Sequence, residues 1–333
     1  MAEPILEARD VTVDFAHRGR KAGHLRAVDH VSFSVAPGER LGIVGESGSG
    51  KSTLCKSIAG VYKPSSGQVI YKGAVLPTKR SPELRRAIQI VFQDPYTSLN
   101  PRMRIGKVLE EAVRAGGRRG ETPAQGVREL LATVGLPEVA ATVRPSKLSG
   151  GQRQRVAIAR ALAVEPTIIL ADEVTSALDV SVQAVIVNLL ARLASEHDLT
   201  LVFVTHNLQV VRALCNRICV MHAGRIVETA FTTTIFAAPK HPYTLALMAA
   251  APRLHPREAE DGLSARPTAG QIASDGCAYR LRCPLARARC AEETPPLAPP
   301  NGDDPSQQVA CHAVAEGWEG APRSTSSSTR GES

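Results

Sequence analysis

Aromatic residues are scarce: Phe, Trp and Tyr make up 4% of the 333 residues, and there is one Trp. The interior must therefore be built mainly from Val, Leu, Ile and Ala. Long hydrophobic runs are also missing. No apolar stretch approaches the roughly 20 residues that a helix needs to span a bilayer. The opening MAEPILEARD carries charge where a signal peptide has its apolar segment. The chain is therefore expected to stay in the cytoplasm, where it can still dock on a membrane protein. Acidic residues are in deficit, 32 against 40 Lys and Arg, giving a net charge of +8. The arginines are not clustered with aromatics in the way a nucleic-acid surface requires. A soluble basic protein, a nucleic-acid binder and a protein beside an anionic leaflet all fit the charge, which alone does not choose between them. No internal repeat is present.

What is there begins with alternation. Residues 5–15, ILEARDVTVDF, alternate apolar and polar as a half-buried strand does, and a basic loop, HRGRKAGHLR, follows. VSFSV at 31–35 predicts a strand closed by Pro37-Gly38. RLGIVG at 40–45 predicts another, entering a glycine loop, with a helix from Lys51 to about Ala59. YKPSSGQVIYKG reads as a turn and a strand, and AIQIVFQ at 87–93 as a strand. From Pro95 to about Val164 the pattern is helical and loop-rich, with GGRRG at 116–120 as an exposed loop. TIILADE at 167–173 and LTLVFVTH at 199–206 predict buried strands, separated by a helix over 181–197. RICVMHAGRIVETA predicts a hairpin around Ala223-Gly224. Strands alternating with helices indicate an α/β domain with a mostly parallel sheet. Beyond residue 236, KHPYTLALMAAAPRL predicts one short helix with Pro242 in its first turn. Residues 252–310 are rich in Pro and Ala, and the closing STSSSTRGES is expected to be disordered.

The chemistry sits at strand ends. GESGSGKST matches G-x4-G-K-[ST] between a strand and a helix. Gly45, Gly48 and Gly50 let the backbone curl so that N–H groups along Gly45, Glu46, Ser47, Gly48, Ser49, Gly50 and Thr53 can face phosphate oxygens. Lys51 supplies positive charge to the β- and γ-phosphates, Ser52 offers a hydroxyl to Mg2+, and the helix dipole adds to both. In ILADE, Asp172 ends an apolar strand where it can hold Mg2+ through water. Glu173 can orient or deprotonate an attacking water. Four strands end in the glycine loop, Gln93, Asp172-Glu173 and His206. Ligands of parallel α/β sheets sit outside the carboxyl ends of the strands. A second helix N-terminus follows LSGGQ, in the helical segment between Gln93 and Asp172. It can offer backbone N–H groups, the Ser149 hydroxyl and a dipole to an anion. A second copy arranged head to tail would bring its LSGGQ onto this chain's γ-phosphate.

GESGSGKST, Gln93, LSGGQ, ILADE, SALD and His206, in this order over about residues 5–235, resemble an ATP-binding-cassette ATPase. The resemblance implies a P-loop NTPase fold: a RecA-like parallel-sheet core, an antiparallel β subdomain and a helical subdomain over about 95–165. It also implies ATP and Mg2+ as ligands. By that resemblance Phe15 stacks on adenine, and Gln93 senses Mg2+, the attacking water and the membrane partner. Glu173 is the catalytic base and His206 contacts the γ-phosphate. Ser149, Gly150, Gly151 and Gln152 act on the other subunit's ATP, and Asp179 in SALD communicates between the two sites. Val174 stands where the family usually has Pro, a departure that removes a rigid turn but no chemical group.

YTSLNPRMRIG at 96–106, IFAAPKHPYTLALMAAAPRL at 235–254 and the four-cysteine tail resemble the ATPases of oligopeptide/dipeptide/nickel importers. This implies a cassette over 1–235, an extension over 236–320 and a disordered tail over 321–333. It implies a second, related ATPase subunit (a heterodimer ahead of a homodimer), two transmembrane permeases, an extracytoplasmic solute-binding protein and no nucleic acid. The site of action would be the cytoplasmic face of the inner membrane. Short peptides are the expected cargo, with nickel or another small solute as the alternative. A soluble ATPase acting on nucleic acid or ribosomes is the rival class. Cys55, Cys215 and Cys219 lie in apolar segments and read as small core residues. Cys277, Cys283, Cys290 and Cys311 lack the C-x2-C pairs of zinc ribbons. A [4Fe–4S] cluster is therefore expected ahead of Zn2+, with reduced thiols or an occasional disulfide as the remaining reading. His312 reads as a solvated surface histidine.

Overall fold

A computed structural model describes residues 3–16, 24–94, 98–116, 122–250, 273, 275–300 and 306–322. The expected disordered tail and the GGRRG loop lie almost wholly outside these residues. The first layer is an antiparallel sheet. β1 (Leu6–Ala16) pairs with β2 (His24–Val35) and with β4 (Ser66–Tyr71), which in turn pairs with β5 (Ala74–Val75). β2 begins in what the sequence suggests is a basic loop, because Phe15 and Ala16 find partners in Leu25 and His24.

The second layer carries the site. β3 (Arg40–Val44), β6 (Ile88–Val91), β7 (Ile168–Asp172), β8 (Thr200–Thr205) and β9 (Arg217–His222) form parallel pairs in the order β9-β3-β8-β7-β6. β10 (Arg225–Phe231) returns antiparallel from β9 through Ala223 and Gly224, both at positive φ. Along β7, Ile169 and Ala171 face one core while Ile168 and Leu170 face the other. β8 alternates in the same way, with Leu201 and Phe203 opposite Val202 and Val204. A strand buried on both faces must be apolar throughout, which explains the runs IILA and LVFV.

Register levels the strand ends. Val44 pairs with Thr205, Asp172 with Val204 and Val91 with Ala171. Whatever follows each of these residues emerges at one edge.

Helices cover the sheet. α1 (Lys51–Ile58) packs between the two sheets, and α2 (Pro82–Ala87) leads into β6. α3 (Ile105–Gly116), α4 (Pro123–Thr133) and α5 (Gly150–Leu162) form a helical layer that also touches α6 (Val180–Glu196). α7 (Leu208–Leu214) and α8 (Thr232–Ala237) follow β8 and β10. Cys55, Cys215 and Cys219 are buried among these elements as the sequence suggests.

The C-terminal segment lies against the cassette. α9 (Pro242–Ala250) starts at the HPYT motif, and α10 (Arg289–Glu292) and α11 (His312–Ala315) are single turns. Between them β11 (Gln308–Val309) adds to the edge of the main sheet by pairing with β10. The joint is Glu228, a fully buried residue of β10. Its carboxylate accepts hydrogen bonds from Lys240 N (2.8 Å), His241 N (3.0 Å) and Gln307 Nε2 (2.8 Å). Burial pushes its carboxyl above the ordinary value, and these donors pull it back. His312 is buried rather than solvated: its Nε2 lies 3.0 Å from the Glu293 carbonyl, which fixes the ring inside the extension.

Glu228→Ala strands two buried backbone N–H groups and the Gln307 amide, a loss expected to cost about 2–4 kcal/mol. Thermal unfolding should show that loss and limited proteolysis should cut first near residue 240. Wild-type melting would remove Glu228 as the joint.

Candidate nucleotide-binding site

The glycine loop rises from β3 and turns into α1. A side chain at Gly45 would place Cβ 2.1 Å from the Met221 carbonyl, so only Gly passes. Gly50, the cap before α1, has φ 99° and lies equally close to Ala27 O. Ser47 and Gly48 are exposed on the rim, whereas Ser49 is buried. Lys51 is almost fully buried beneath the loop. Its Nζ donates to Gly45 O (2.9 Å) and Glu46 O (2.7 Å) and lies 3.3 Å from Ser49 Oγ. Burial lowers its pKa, while Glu173, Asp172 and Glu46 oppose that shift. The ammonium is therefore held by carbonyls of its own loop.

Across β8, the end of β7 meets the first turn of α1. The Ser52 hydroxyl donates to Asp172 Oδ1 at 2.6 Å. Burial raises the Asp172 carboxyl above its ordinary value, partly offset by that hydrogen bond. A hydroxyl and a carboxylate in contact are an oxygen-donor pair suited to Mg2+. Glu173 follows at φ 49°, an uncommon conformation for Glu. Its N–H bonds Val204 O at 2.9 Å, and its carbonyl accepts from Ser176 N and Oγ. Glu173 Oε2 lies 3.6 Å from His206 Nδ1 at the end of β8. Gln93 is exposed on the bend beyond β6, and residues 95–97 next to it lie outside the described residues. Phe15 is half-buried, with its ring 5.2 Å from that of Tyr62.

The second helix N-terminus stands in the helical layer. Ser149 caps α5 in a reciprocal box: its Oγ accepts from Gln152 N (3.2 Å), and Gln152 Oε1 accepts from Ser149 N (2.9 Å). The Ser149 O–H remains a donor. Gly151 admits no Cβ because Val182 of α6 would be 2.4 Å away. Asp179 caps α6, accepting from Val182 N (2.9 Å) and Ser181 Oγ (2.6 Å), and these bonds lower its pKa. Val174 is buried.

Two residues with no local signal reach the loop from the extension. Tyr243 Oη accepts from Glu46 N at 2.8 Å, and Arg282 holds both Glu46 carboxylate oxygens at 3.0 and 2.8 Å. The four extension cysteines line one small cavity. Among the described residues no group of three or more His, Cys, Asp or Glu is placed to hold a metal ion. No helix of the described residues is long and apolar enough to cross a membrane.

A phosphate loop, a Ser–Asp pair, a second carboxylate and a histidine at one edge of the sheet are the arrangement of a P-loop nucleoside triphosphatase. The chain also matches the ABC transporter family model over residues 28–176 and the oligopeptide/dipeptide transporter C-terminal region over 227–290. It is 46% identical over 301 residues to a probable peptide ABC transporter ATP-binding protein, y4tS, of Sinorhizobium fredii, covering 87% of this chain and 83% of that one. It is 41% identical over 331 residues to the oligopeptide transport ATP-binding protein AppF of Bacillus subtilis, covering 93% and 97%. Among solved structures it is similar to the ATP-binding cassette MJ0796, a post-hydrolysis dimer bound to ADP and Pi. That match has TM-score 0.60 and 33% identity, covering 68% of this chain and 98% of the other. The chain belongs to the ABC transporter ATP-binding protein family, and its activity is ATP hydrolysis coupled to transport.

His222, at the end of β9, is buried with its ring 4.4 Å from that of Tyr243. Burial depresses its pKa to about 4. The unfolded chain takes up that proton near pH 6.5 and the folded chain does not. The stability is therefore whole above about pH 6.5 and falls as pH drops toward 4, by up to about 1.4 kcal/mol per unit. Melting curves between pH 7.5 and 4.5 should decline less steeply in His222→Gln; an unchanged slope would contradict this.

Proposed function

We propose that this chain is the ATP-hydrolysing subunit of a membrane importer for di- and oligopeptides. The match over residues 227–290 and the names of the relatives support the peptide cargo. The division into a cassette over 1–235 and an extension over 236–320 belongs to the same reading. What carries the mechanism is the level edge: the Lys51 loop, the Ser52–Asp172 pair and the Glu173–His206 pair emerge together from adjacent strands.

In this reading Lys51 leaves the Gly45 and Glu46 carbonyls for the β- and γ-phosphates, and Phe15 packs on adenine. Ser52 and Asp172, with Gln93, would hold Mg2+, which neutralises phosphate charge. Glu173 takes a proton from water as its oxygen bonds the γ-phosphorus; the bond to the bridging oxygen breaks, giving ADP and phosphate. His206 steadies the γ-phosphate and Glu173. The same ATP is capped by Ser149, Gly150, Gly151 and Gln152 of a second cassette, while Asp179 links the two sites. A related ATPase subunit supplies that second cassette. Two permeases dock near Gln93, at the cytoplasmic face of the membrane, and an extracytoplasmic protein delivers the peptide.

A [4Fe–4S] cluster in the extension belongs to the same proposal; it is supported by the small cavity that the four cysteines line, although among the described residues no three of them are placed to hold a metal ion. The backbone N–H groups of Tyr279 and Arg280 near Cys277, of Leu285 near Cys283, and of Ala313 and Val314 near Cys311 each favour a thiolate. Burial opposes them, pushing Cys283 to about 12 and Cys311 to about 11, so the thiols alone stay neutral. Cys277, Cys283, Cys290 and Cys311 would hold the cluster as a staple for a segment with little core of its own.

Glu173→Gln should bind ATP normally, lose turnover by about 100-fold or more and accumulate a closed dimer, since the base goes and the phosphate contacts stay. Wild-type turnover would remove Glu173 from its role. Anaerobically purified protein should contain iron and absorb visible light, and Cys283→Ser should lose both. A colourless wild type free of iron would reject the cluster.

A further inference from the structure

Glu46, the second residue of the glycine loop, is held by four partners at once. Its backbone N–H is bonded by Tyr243 Oη at 2.8 Å, its carbonyl by Lys51 Nζ at 2.7 Å, and its carboxylate by Arg282 through both guanidinium arms. The carbonyl also accepts from Ser49 N at 3.2 Å, so Lys51 and Ser49 hold Glu46 from within the loop, whereas Tyr243 and Arg282 reach it from the C-terminal segment. Tyr243 lies 197 residues away in α9 and Arg282 lies 236 residues away, immediately before Cys283. We propose that the C-terminal extension is a working part of the ATP site: Arg282 and Tyr243 are positioning residues that set the curve and charge of the phosphate loop.

Both partners are themselves fixed. The Arg282 side chain is 10% exposed against 36% for Glu46, and its guanidinium lies 5.3 Å from the Tyr279 ring centroid. Tyr279 packs edge-on against Tyr243 at 5.4 Å, and His222 wedges against both. Burial raises the Tyr243 phenol above its ordinary value, so its oxygen stays a neutral acceptor for the loop.

Glu46 is an anion in the loop that must receive a triphosphate. Arg282 holds its carboxyl below the ordinary value by hydrogen bond and charge, so the carboxylate is ionised and needs its cation. Without Arg282 the carboxylate would repel the incoming phosphates and compete for Lys51. When ATP arrives, Lys51 must leave the Glu46 carbonyl. Tyr243 and Arg282 then remain, with Ser49 N, to keep residue 46 in place.

The proposal rests on the nucleotide site assigned above, and the experiment separates the two. ATP affinity and steady-state kinetics are measured on the full chain as wild type, Lys51→Ala, Arg282→Met, Arg282→Lys and the double variant Arg282→Met/Glu46→Gln. Lys51→Ala should abolish binding; if it binds ATP normally, the site assignment itself fails. Arg282→Met should weaken ATP binding about five-fold or more, and raise KM by more than it lowers kcat. Arg282→Lys, which keeps the charge but loses the fork, should fall between and serves if the Met variant does not fold. Removing the stranded carboxylate with Glu46→Gln should recover most of the lost affinity. A merely structural salt bridge would give no recovery. Unchanged affinity in Arg282→Met, or a double variant weaker than the single, would overturn the proposal while leaving Lys51 in place.

Discussion

The register of five parallel strands is the constraint on which the catalytic edge depends. Val44 lies level with Thr205, Asp172 with Val204 and Val91 with Ala171, because the backbones pair in step. One residue further along sit Gly45, His206 and Glu173, and Gln93 follows two beyond Val91. A slip of a single position would turn every strand side chain to the opposite core and move one of these groups out of reach. The dense aliphatic packing on both faces thus does more than stabilise: it holds the register, and the register makes Ser52 meet Asp172 and Glu173 approach His206.

The same architecture bears on the proposal that one cassette is half a site. The phosphate loop opens at the sheet edge, whereas the Ser149 cap stands on α5, packed against α3, α4 and α6. Ser149 and Asp179 both spend their side chains on capping helices within their own chain. Those caps fix two helix N-termini as rigid donors. In the proposed dimer, their use by a second molecule's ATP would account for a phosphate-binding sequence that has no phosphate loop beside it.

Much of this was legible in the sequence because it is local. A glycine loop between an apolar strand and a helix, ILADE, and a polar residue after each buried run are all short-range patterns. What was not legible depends on distant partners. The start of β2 reads as a basic loop until β1 pairs with it. His312 reads as solvated until the Glu293 carbonyl is placed beside it. The S-x-x-Q spacing at Ser149 carries a cap as well as an anion site, and the second meaning hides the first. Glu228 and Arg282 have no motif of their own, and the HPYT motif gives no sign that Tyr243 reaches Glu46, since each acts through a residue remote in the chain. The extension thus reads from sequence as a family mark and from structure as a neighbour of the phosphate loop.

The central claim is that ATP is held between two polypeptides. Its most direct test is a cryo-electron microscopy structure of the assembled transporter with a non-hydrolysable ATP analogue, read at the Ser149 hydroxyl. The account predicts that Ser149 Oγ lies about 3 Å from the γ-phosphate bound to the partner ATPase's glycine loop. A γ-phosphate reached by the Ser149 of its own chain, or by neither, would contradict it.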